Sequence, residues 1–279
     1  MRPTHRLAQD LRTQGVRVYG HRGARSYAPM NTLPAFELAI LQGARGIELD
    51  VQLSLDGHLI VLHDFTVDGT TDGSGAVRNL TFAQLRELDA SARFVPAAVP
   101  LNGKAPGPFR NLKLPTLDEV FELVRDAADK DFVVNVEIKA PYCAADGKEG
   151  PEALDGVEAA VAASVDRYAM ADQVIISSFN PPTLGRFKAL RPDIPVGFLV
   201  EKSAPVDTAA LMAPRDYEAW HPHFSMVNEQ SVARETHRGK MINVWTVNDP
   251  TEVTRLAGLG VQGIITDTPD RMVRALGKK

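Results

Sequence analysis

The 279-residue chain has one cysteine, Cys143, so no disulfide can form within it, and a reducing compartment is the natural expectation. No apolar run approaches the ~20 residues that cross a bilayer. The basic start Met1-Arg2-Pro3-Thr4-His5-Arg6 is not followed by a continuous apolar segment, so no secretory signal is expected and the sequence reads as cytoplasmic. Basic residues (31 Lys and Arg) are fewer than acidic ones (35 Asp and Glu), the formal net charge is −4, and no Lys/Arg cluster stands out. That balance argues against nucleic acid as the main partner. A sequence repeat at fixed period and a low-complexity tail are both missing. The length suits one large domain, and a single α/β barrel of this size is ordinary.

What is present is alternation. Short β-branched runs at Val16–Gly20, Gly46–Leu53, Phe132–Lys139, Gln173–Ser178, Val196–Val200, Glu218–Trp220, Met241–Thr246 and Gln262–Thr266 predict strands. Amphipathic stretches at Asn31–Gln42, Leu117–Ala128, Leu154–Tyr168, Pro181–Leu190, Val206–Met212, Glu229–Thr236, Pro250–Leu259 and Asp270–Leu276 predict helices between them. Eight of each in turn predict a (β/α)8 TIM barrel, read as one domain over residues 1–279. An extra extended run, His58–Leu62, follows an Asp56-Gly57 turn signal and is expected to fold back on the second strand as a hairpin.

Residues 65–113 break the rhythm with Gly, Pro, Asp and Asn and one helical piece, Thr81–Leu88. A connection beyond ~12–15 residues is usually functional. We read it as a small insertion after the second strand, packed at the mouth of the barrel. Pro96-Ala97-Ala98-Val99-Pro100 within it reads as extended chain, and Thr116 reads as a helix N-cap.

The chemistry concentrates in Gly46-Ile47-Glu48-Leu49-Asp50-Val51. On a strand, Glu48 and Asp50 leave on one face while Ile47, Leu49 and Val51 leave on the other. Two carboxylates side by side repel, and a hard divalent cation with oxygen ligands is the simplest remedy. His21, Arg22 and Gly23 follow one apolar run, and His63 and Asp64 end another. Two histidines, a guanidinium and a carboxylate pair near strand ends suit phosphate-ester hydrolysis: metal and Arg22 against the phosphoryl oxygens, histidines moving protons. His21, Glu48, Asp50, Glu137, Lys139, Ser178 and Trp245 all fall toward carboxyl ends of strands, where barrel enzymes place chemistry.

Those residues carry a resemblance. His21-Arg22-Gly23, Pro29-Met30-Asn31-Thr32, Glu48-Leu49-Asp50-Val51, Asp56-Gly57 and His63-Asp64 resemble the glycerophosphodiester phosphodiesterases. So do Thr70-Thr71-Asp72-Gly73-Ser74-Gly75, Leu114-Pro115-Thr116-Leu117, Val136-Glu137-Ile138-Lys139, Trp245-Thr246-Val247-Asn248 and Gly263-Ile264-Ile265-Thr266-Asp267, in the family's order. The resemblance implies a Ca2+ or Mg2+ ion on Glu48, Asp50 and Glu137, and His21 and His63 as the acid/base pair. It also implies phosphate contacts from Arg22 and Lys139, a role for Asn31 near metal or phosphate, and a small-molecule glycerophosphodiester substrate. The chain departs from the family pattern at Met30, where Glu is usual, at Gly69, where a basic residue is common, and at Gln262, where Asp is common.

Other uses of the same residues remain open. Glu48 or Asp50 with Glu137 matches the paired carboxylates of a glycosidase barrel. A lysophospholipase D-like relative would share the histidines and the metal cluster, and a catalytically silent barrel would only bind phosphodiesters or metal. Glu137 and Lys139 share a strand face and can form a simple ion pair. Asn31 has a plain local explanation as the N-cap of the first helix. Trp245 and Phe179 either fill the core or wall off an alcohol leaving group. His221 and His223 read as loop histidines, and Cys143 as an exposed thiol without a role.

Overall fold

In the computed structural model, Leu7, Leu11 and residues 15–104, 106–140, 156–202 and 217–277 are described. The apolar runs become nine strands among these residues: Arg17–His21 (β1), Gly46–Leu53 (β2), Leu59–Val61 (β3), Val133–Ile138 (β4), Val174–Ser178 (β5), Val196–Val200 (β6), Ala219–Pro222 (β7), Met241–Val244 (β8) and Gly263–Thr266 (β9). All but β3 run parallel in the order β1, β2, β4, β5, β6, β7, β8, β9, and the pairing of β9 with β1 closes the barrel. The predicted (β/α)8 barrel is the fold. β3 is the predicted hairpin arm, antiparallel to β2 with Val51 opposite Val61.

Helices lie between strands: Leu33–Leu41 (α1), Phe82–Glu87 (α2), Leu117–Ala127 (α3), Val157–Arg167 (α4), Pro181–Leu190 (α5), Glu229–His237 (α6), Pro250–Leu259 (α7) and Pro269–Ala275 (α8). Proline at the first turn fixes the starts of α5, α7 and α8, because its missing N–H has no partner to lose there. Thr116 caps α3 as expected: its side chain accepts from Glu119 N while Glu119 Oε2 accepts from Thr116 N at 2.8 Å.

Strand alternation builds two interiors. Outward residues such as Ile47, Leu49, Val134, Val136, Ile176 and Ile264 pack under the helices in one continuous core. Inward residues Tyr19, Val133, Ile175, Ala219, Met241 and Ile265 meet Leu7 and Leu11 and floor the barrel. Each fully buried Val, Leu or Ile side chain contributes roughly 1.5–3 kcal/mol, so the floor is a firm base for the polar residues above it.

The segment after β3 has its own cluster: Val67, Val77, Leu85 and Ala90 pack with Ile60, Leu62 and Leu114. It is tied back to the barrel where Ala97 N and Ala98 N donate to Ser26 O at 2.9 and 3.2 Å, and Leu101 N donates to Asp270 Oδ2 at 2.7 Å.

Several sequence expectations shift. The sixth barrel strand sits at Ala219–Pro222 rather than Glu218–Trp220, since Pro222 is tolerated at a strand end. The Pro96–Pro100 run bends at Ala97 and Ala98, drawn in by Ser26 O. Asn31 is not the N-cap of α1: Thr32 holds that position, and Asn31 has φ 56°, a left-handed turn residue. The helix expected at Val206–Met212, the start of the one at Leu154, and Cys143 lie outside the described residues.

Candidate active site

Glu48 and Asp50 leave β2 toward the barrel axis, as period-two alternation requires, and parallel register sets Glu137 of β4 beside Asp50 and His21 of β1 beside Glu48. Glu48, Asp50 and Glu137 are all buried, and each offers an oxygen within 4.8 Å of the others. Two cations answer the three carboxylates. Arg22 Nε lies 3.2 Å from Asp50 Oδ2, and Lys139 Nζ lies 2.8 Å from Glu137 Oε1 and 3.7 Å from Asp50 Oδ1. The Glu137–Lys139 pair expected along the strand is therefore present inside the cluster. Asn31 Nδ2 donates to Asp50 Oδ2 at 2.9 Å, and Arg22 N donates to Glu48 Oε2 at 3.0 Å.

Electrostatics divide the three. Burial pushes the Glu48 carboxyl well above its ordinary range, helped by the charges of Asp50 and Glu137 and opposed by Arg22. Burial likewise raises Glu137 against the pull of Lys139. Burial also works to raise Asp50, but Arg22, Lys139, His63 and the Asn31 hydrogen bond outweigh it and hold Asp50 below the usual carboxylate range. Burial costs Arg22 and Lys139 too, yet the carboxylates outweigh it and hold both firmly charged. Asp50 Oδ1 and Asn31 Oδ1 are buried without a hydrogen-bond donor.

The turn that delivers His21 and Arg22 is tight. Arg22 has φ 53° and Gly23 φ 83°, and a Cβ on Gly23 would lie 2.5 Å from the backbone carbon of Ala35. Only glycine lets α1 approach that closely. Asn31 N then donates back to Arg22 O at 3.0 Å, closing the loop that aims the Asn31 amide at Asp50.

Each site histidine has its own aspartate. His21 Nδ1 is 2.7 Å from Asp267 Oδ1, and His63 Nδ1 is 2.7 Å from Asp64 Oδ1. A carboxylate only accepts, so each Nδ1 carries the proton and Nε2 is left for the cavity. His21 Nε2 sits 3.9 Å from Glu48 Oε2. Burial pulls His21 down to about 4 despite the Asp267 hydrogen bond. Asp267 is in turn held by Asn248 Nδ2 at 2.7 Å and lies 3.6 Å from Arg25 Nε. Asp267 and Asn248 appear in the matched motifs, but sequence reasoning gave them no role; carboxylates just past a barrel strand were the available signal.

A cavity of about 440 Å3 is lined by His21, Arg22, Glu48, His63, Glu137, Lys139 and Trp245, with Phe65, Phe179 and Leu199 on its apolar side. Asp50 and Asn31 are fully buried, and Asp50 meets the lining residues Arg22 and Lys139. Phe179 and Trp245 both line this cavity rather than only fill the core; they pack edge to face at 5.4 Å, and Trp245 Nε1 donates to His221 O at 2.8 Å. Ser178 ends β5, at the carboxyl end as expected, but donates to Ile138 O at 2.9 Å and is not among the residues lining the cavity. His221 is not a loop residue: it is a fully buried member of β7, its ring lying over Gly197, with Asn243 Nδ2 donating to Nε2 at 2.9 Å. His223 follows β7 and packs edge to face on Trp245 at 5.4 Å.

The "Glycerophosphoryl diester phosphodiesterase family" model matches residues 21–271. A glycerophosphodiester phosphodiesterase of Caldanaerobacter subterraneus subsp. tengcongensis is 36% identical over 261 residues, covering 94% of this chain and 98% of that one. The crystal structure of a putative glycerophosphoryl diester phosphodiesterase from Silicibacter pomeroyi superposes with a TM-score of 0.82 at 29% identity, covering 97% of this chain and 96% of that one. A phosphodiesterase from Oleispira antarctica, solved in complex with the product sn-glycerol-3-phosphate, superposes with a TM-score of 0.75 at 27% identity, covering 94% and 97%.

Proposed function

The chain belongs to the glycerophosphoryl diester phosphodiesterase family, and from that premise we propose that it is an enzyme hydrolysing small glycerophosphodiesters to sn-glycerol 3-phosphate and an alcohol, with a divalent metal ion. The domain reading follows: residues 1–279 form one phosphodiesterase domain, and residues 65–113 are an insertion that builds part of its mouth. Its single cysteine suits a cytoplasmic setting.

The residues fit a metal. Three buried carboxylates within 4.8 Å, and an Asp50 oxygen lacking any donor, make an all-oxygen donor set of the kind Ca2+ and Mg2+ prefer. Glu48, Asp50 and Glu137 would hold the ion. When bound it supplies positive charge to the nonbridging phosphate oxygens. Arg22 and Lys139 add fixed positive charge beside the same place, so the phosphoryl group meets cations on several sides. Asn31 holds Asp50 in position through its amide. Trp245 and Phe179 wall the apolar side of the cavity.

His21 and His63 divide the proton transfers. One takes at its Nε2 the proton of the attacking oxygen as that oxygen bonds to phosphorus. The attacking oxygen is that of water, or of the glycerol 2-hydroxyl, whose cyclic phosphate water then opens. The other histidine, starting as the imidazolium, gives its Nε2 proton to the leaving alcohol as the phosphorus–oxygen bond to it breaks. The observation that carries this reading is that two imidazoles, each with Nδ1 fixed by its own aspartate, line the same cavity as Glu48, Glu137 and the two cations. The product complex of the Oleispira antarctica relative supports the substrate class.

The test is release of glycerol 3-phosphate from glycerophosphocholine and glycerophosphoethanolamine, assayed as purified, after chelation, and with Ca2+, Mg2+ or Mn2+ restored separately. Activity lost to chelation and restored by one ion is expected. Turnover that resists the chelator would overturn the metal assignment, and no turnover under any ion would overturn the proposed reaction.

A further inference from the structure

Directly above the barrel floor lies a tier of neutral polar side chains that the proton transfers do not use. Asn135, Ser177, His221 and Asn243 each follow a floor residue (Val133, Ile175, Ala219 and Met241) by two positions on the same strand. All four therefore point to the barrel axis, one step nearer the mouth, and all are buried. Asn243 gives its Nδ2 to His221 Nε2 at 2.9 Å, which leaves the ring proton on Nδ1. Asn135 Nδ2, Asn135 Oδ1, Ser177 Oγ and His221 Nδ1 are buried with no hydrogen-bond partner among the protein's own groups.

These orphaned atoms stand against the rule that buried polar side chains are hydrogen-bonded, and the fold gathers them. Gly197 of β6 pairs with Ser177 of β5, and a Cβ on Gly197 would lie 2.5 Å from His221 Nε2. With no side chain there, the imidazole lies over the one strand that separates it from Ser177. Asn135 and Ser177 are diagonal neighbours, because Ser177 is opposite Glu137, two residues beyond Asn135 on β4. None of these side chains brings a counter-charge for an ion. They mix donors with acceptors in a closed interior, and the ligand small enough to answer both is water.

The tier is also in register with the carboxylates above it. Asn135 is opposite Glu48 and Ser177 is opposite Glu137, each pair on the inward face of adjacent strands. We propose that Asn135, Ser177 and His221 bind ordered water beneath the carboxylate cluster, and that through it Asn135 and Ser177 act as positioning residues for Glu48 and Glu137. The second half rests on the metal reading above. A carboxylate that turns an oxygen to an ion is held in place by hydrogen bonds to its other lone pairs. Glu48 accepts from Arg22 N and Glu137 from Lys139 Nζ, both beyond their strand ends, and the water donates from below.

A high-resolution crystal structure of the full chain tests the water. At least one water is expected within roughly 3.2 Å of the Asn135 amide and of either Ser177 Oγ or His221 Nδ1; density without one would overturn the proposal. Calorimetric titration of Ca2+, Mg2+ and Mn2+ into chelated protein tests the positioning role. Ser177→Ala and Asn135→Leu delete the polar partners at nearly constant volume and should each weaken ion binding by about tenfold. Ser177→Ala, the smaller change, decides the matter if Asn135→Leu does not fold. A tier that only supports the barrel would move the melting temperature of the ion-free protein and leave the dissociation constant as in wild type, and that result would overturn the positioning role. Wild type that binds none of the ions would bring down the metal reading and the positioning role together, with the water still decided by the density.

Discussion

His21 and Asp267 are separated by 246 residues and meet at 2.7 Å between Nδ1 and Oδ1. The contact sets the imidazole tautomer and turns Nε2 toward Glu48. Asp267→Asn keeps the shape but offers an amide that can donate as well as accept, so the ring loses its fixed orientation. Turnover should fall on the order of 10–10²-fold, as when a partner orienting a functional imidazole is lost, with the melting temperature close to wild type. Steady-state kinetics beside a thermal melt would check it; unchanged kcat would remove Asp267 from the mechanism.

Replacing either histidine should cost more. His21→Ala and His63→Ala are each expected to lower kcat by roughly 10²–10⁴-fold, the range for losing a general acid or base. Near-full activity in a variant with wild-type circular dichroism would eliminate that histidine as a proton carrier.

Metal binding should be visible without any assay of activity. Three carboxylates share the buried cluster with two cations, so an ion that relieves their repulsion stabilises the folded state. At a hundredfold excess over its dissociation constant, a ligand of the native state contributes about 2.7 kcal/mol, or roughly 5–10 °C in melting temperature for a chain of this size. Glu137→Gln should abolish most of that shift. A wild-type melt indifferent to Ca2+, Mg2+ and Mn2+ would count against the site.

Acid should destabilise the barrel through His221. Burial pulls its ring down to about 3 from 6.5. Below 6.5 the unfolded chain binds a proton that the folded chain refuses, so the stability from this residue is whole above 6.5 and erodes as pH falls toward 3. From about pH 7 to about pH 5 the loss is about 2 kcal/mol. Urea unfolding of wild type and His221→Asn at both pH values isolates it: the variant should lose less stability by about that amount. Parallel pH dependence in the two proteins would contradict the assignment.

Much of this was legible because local rules agree with the fold. The β2 limits, Gly46–Leu53, came from period-two alternation, and the limits of α5 and α7 from their amphipathic stretches. Strand-end position brought His21, Glu48 and Glu137 to one cavity in the reading and in the structure. What escaped depended on the distant chain. Asn31 looks like a cap, and nothing nearby in sequence says that a left-handed turn will swing its amide onto Asp50. His221 sits before Pro222, which reads as loop until β7 pairs on both sides. The Asp267 contact with His21 exists only because β1 and β9 are neighbours at the closure of the barrel.

That closure has a bearing on synthesis. β1 emerges from the ribosome among the first elements and pairs with β2 and β9, and β9 is translated after every other strand described. From Glu137 until Asp267 is made, the nascent chain carries both histidines and all three carboxylates, yet His21 lacks the aspartate that orients it. Competence arrives at the end, when Asp267 has been made and the last strand docks. A polypeptide truncated anywhere before Gly263 lacks both the strand that closes the barrel on β1 and the aspartate that meets His21.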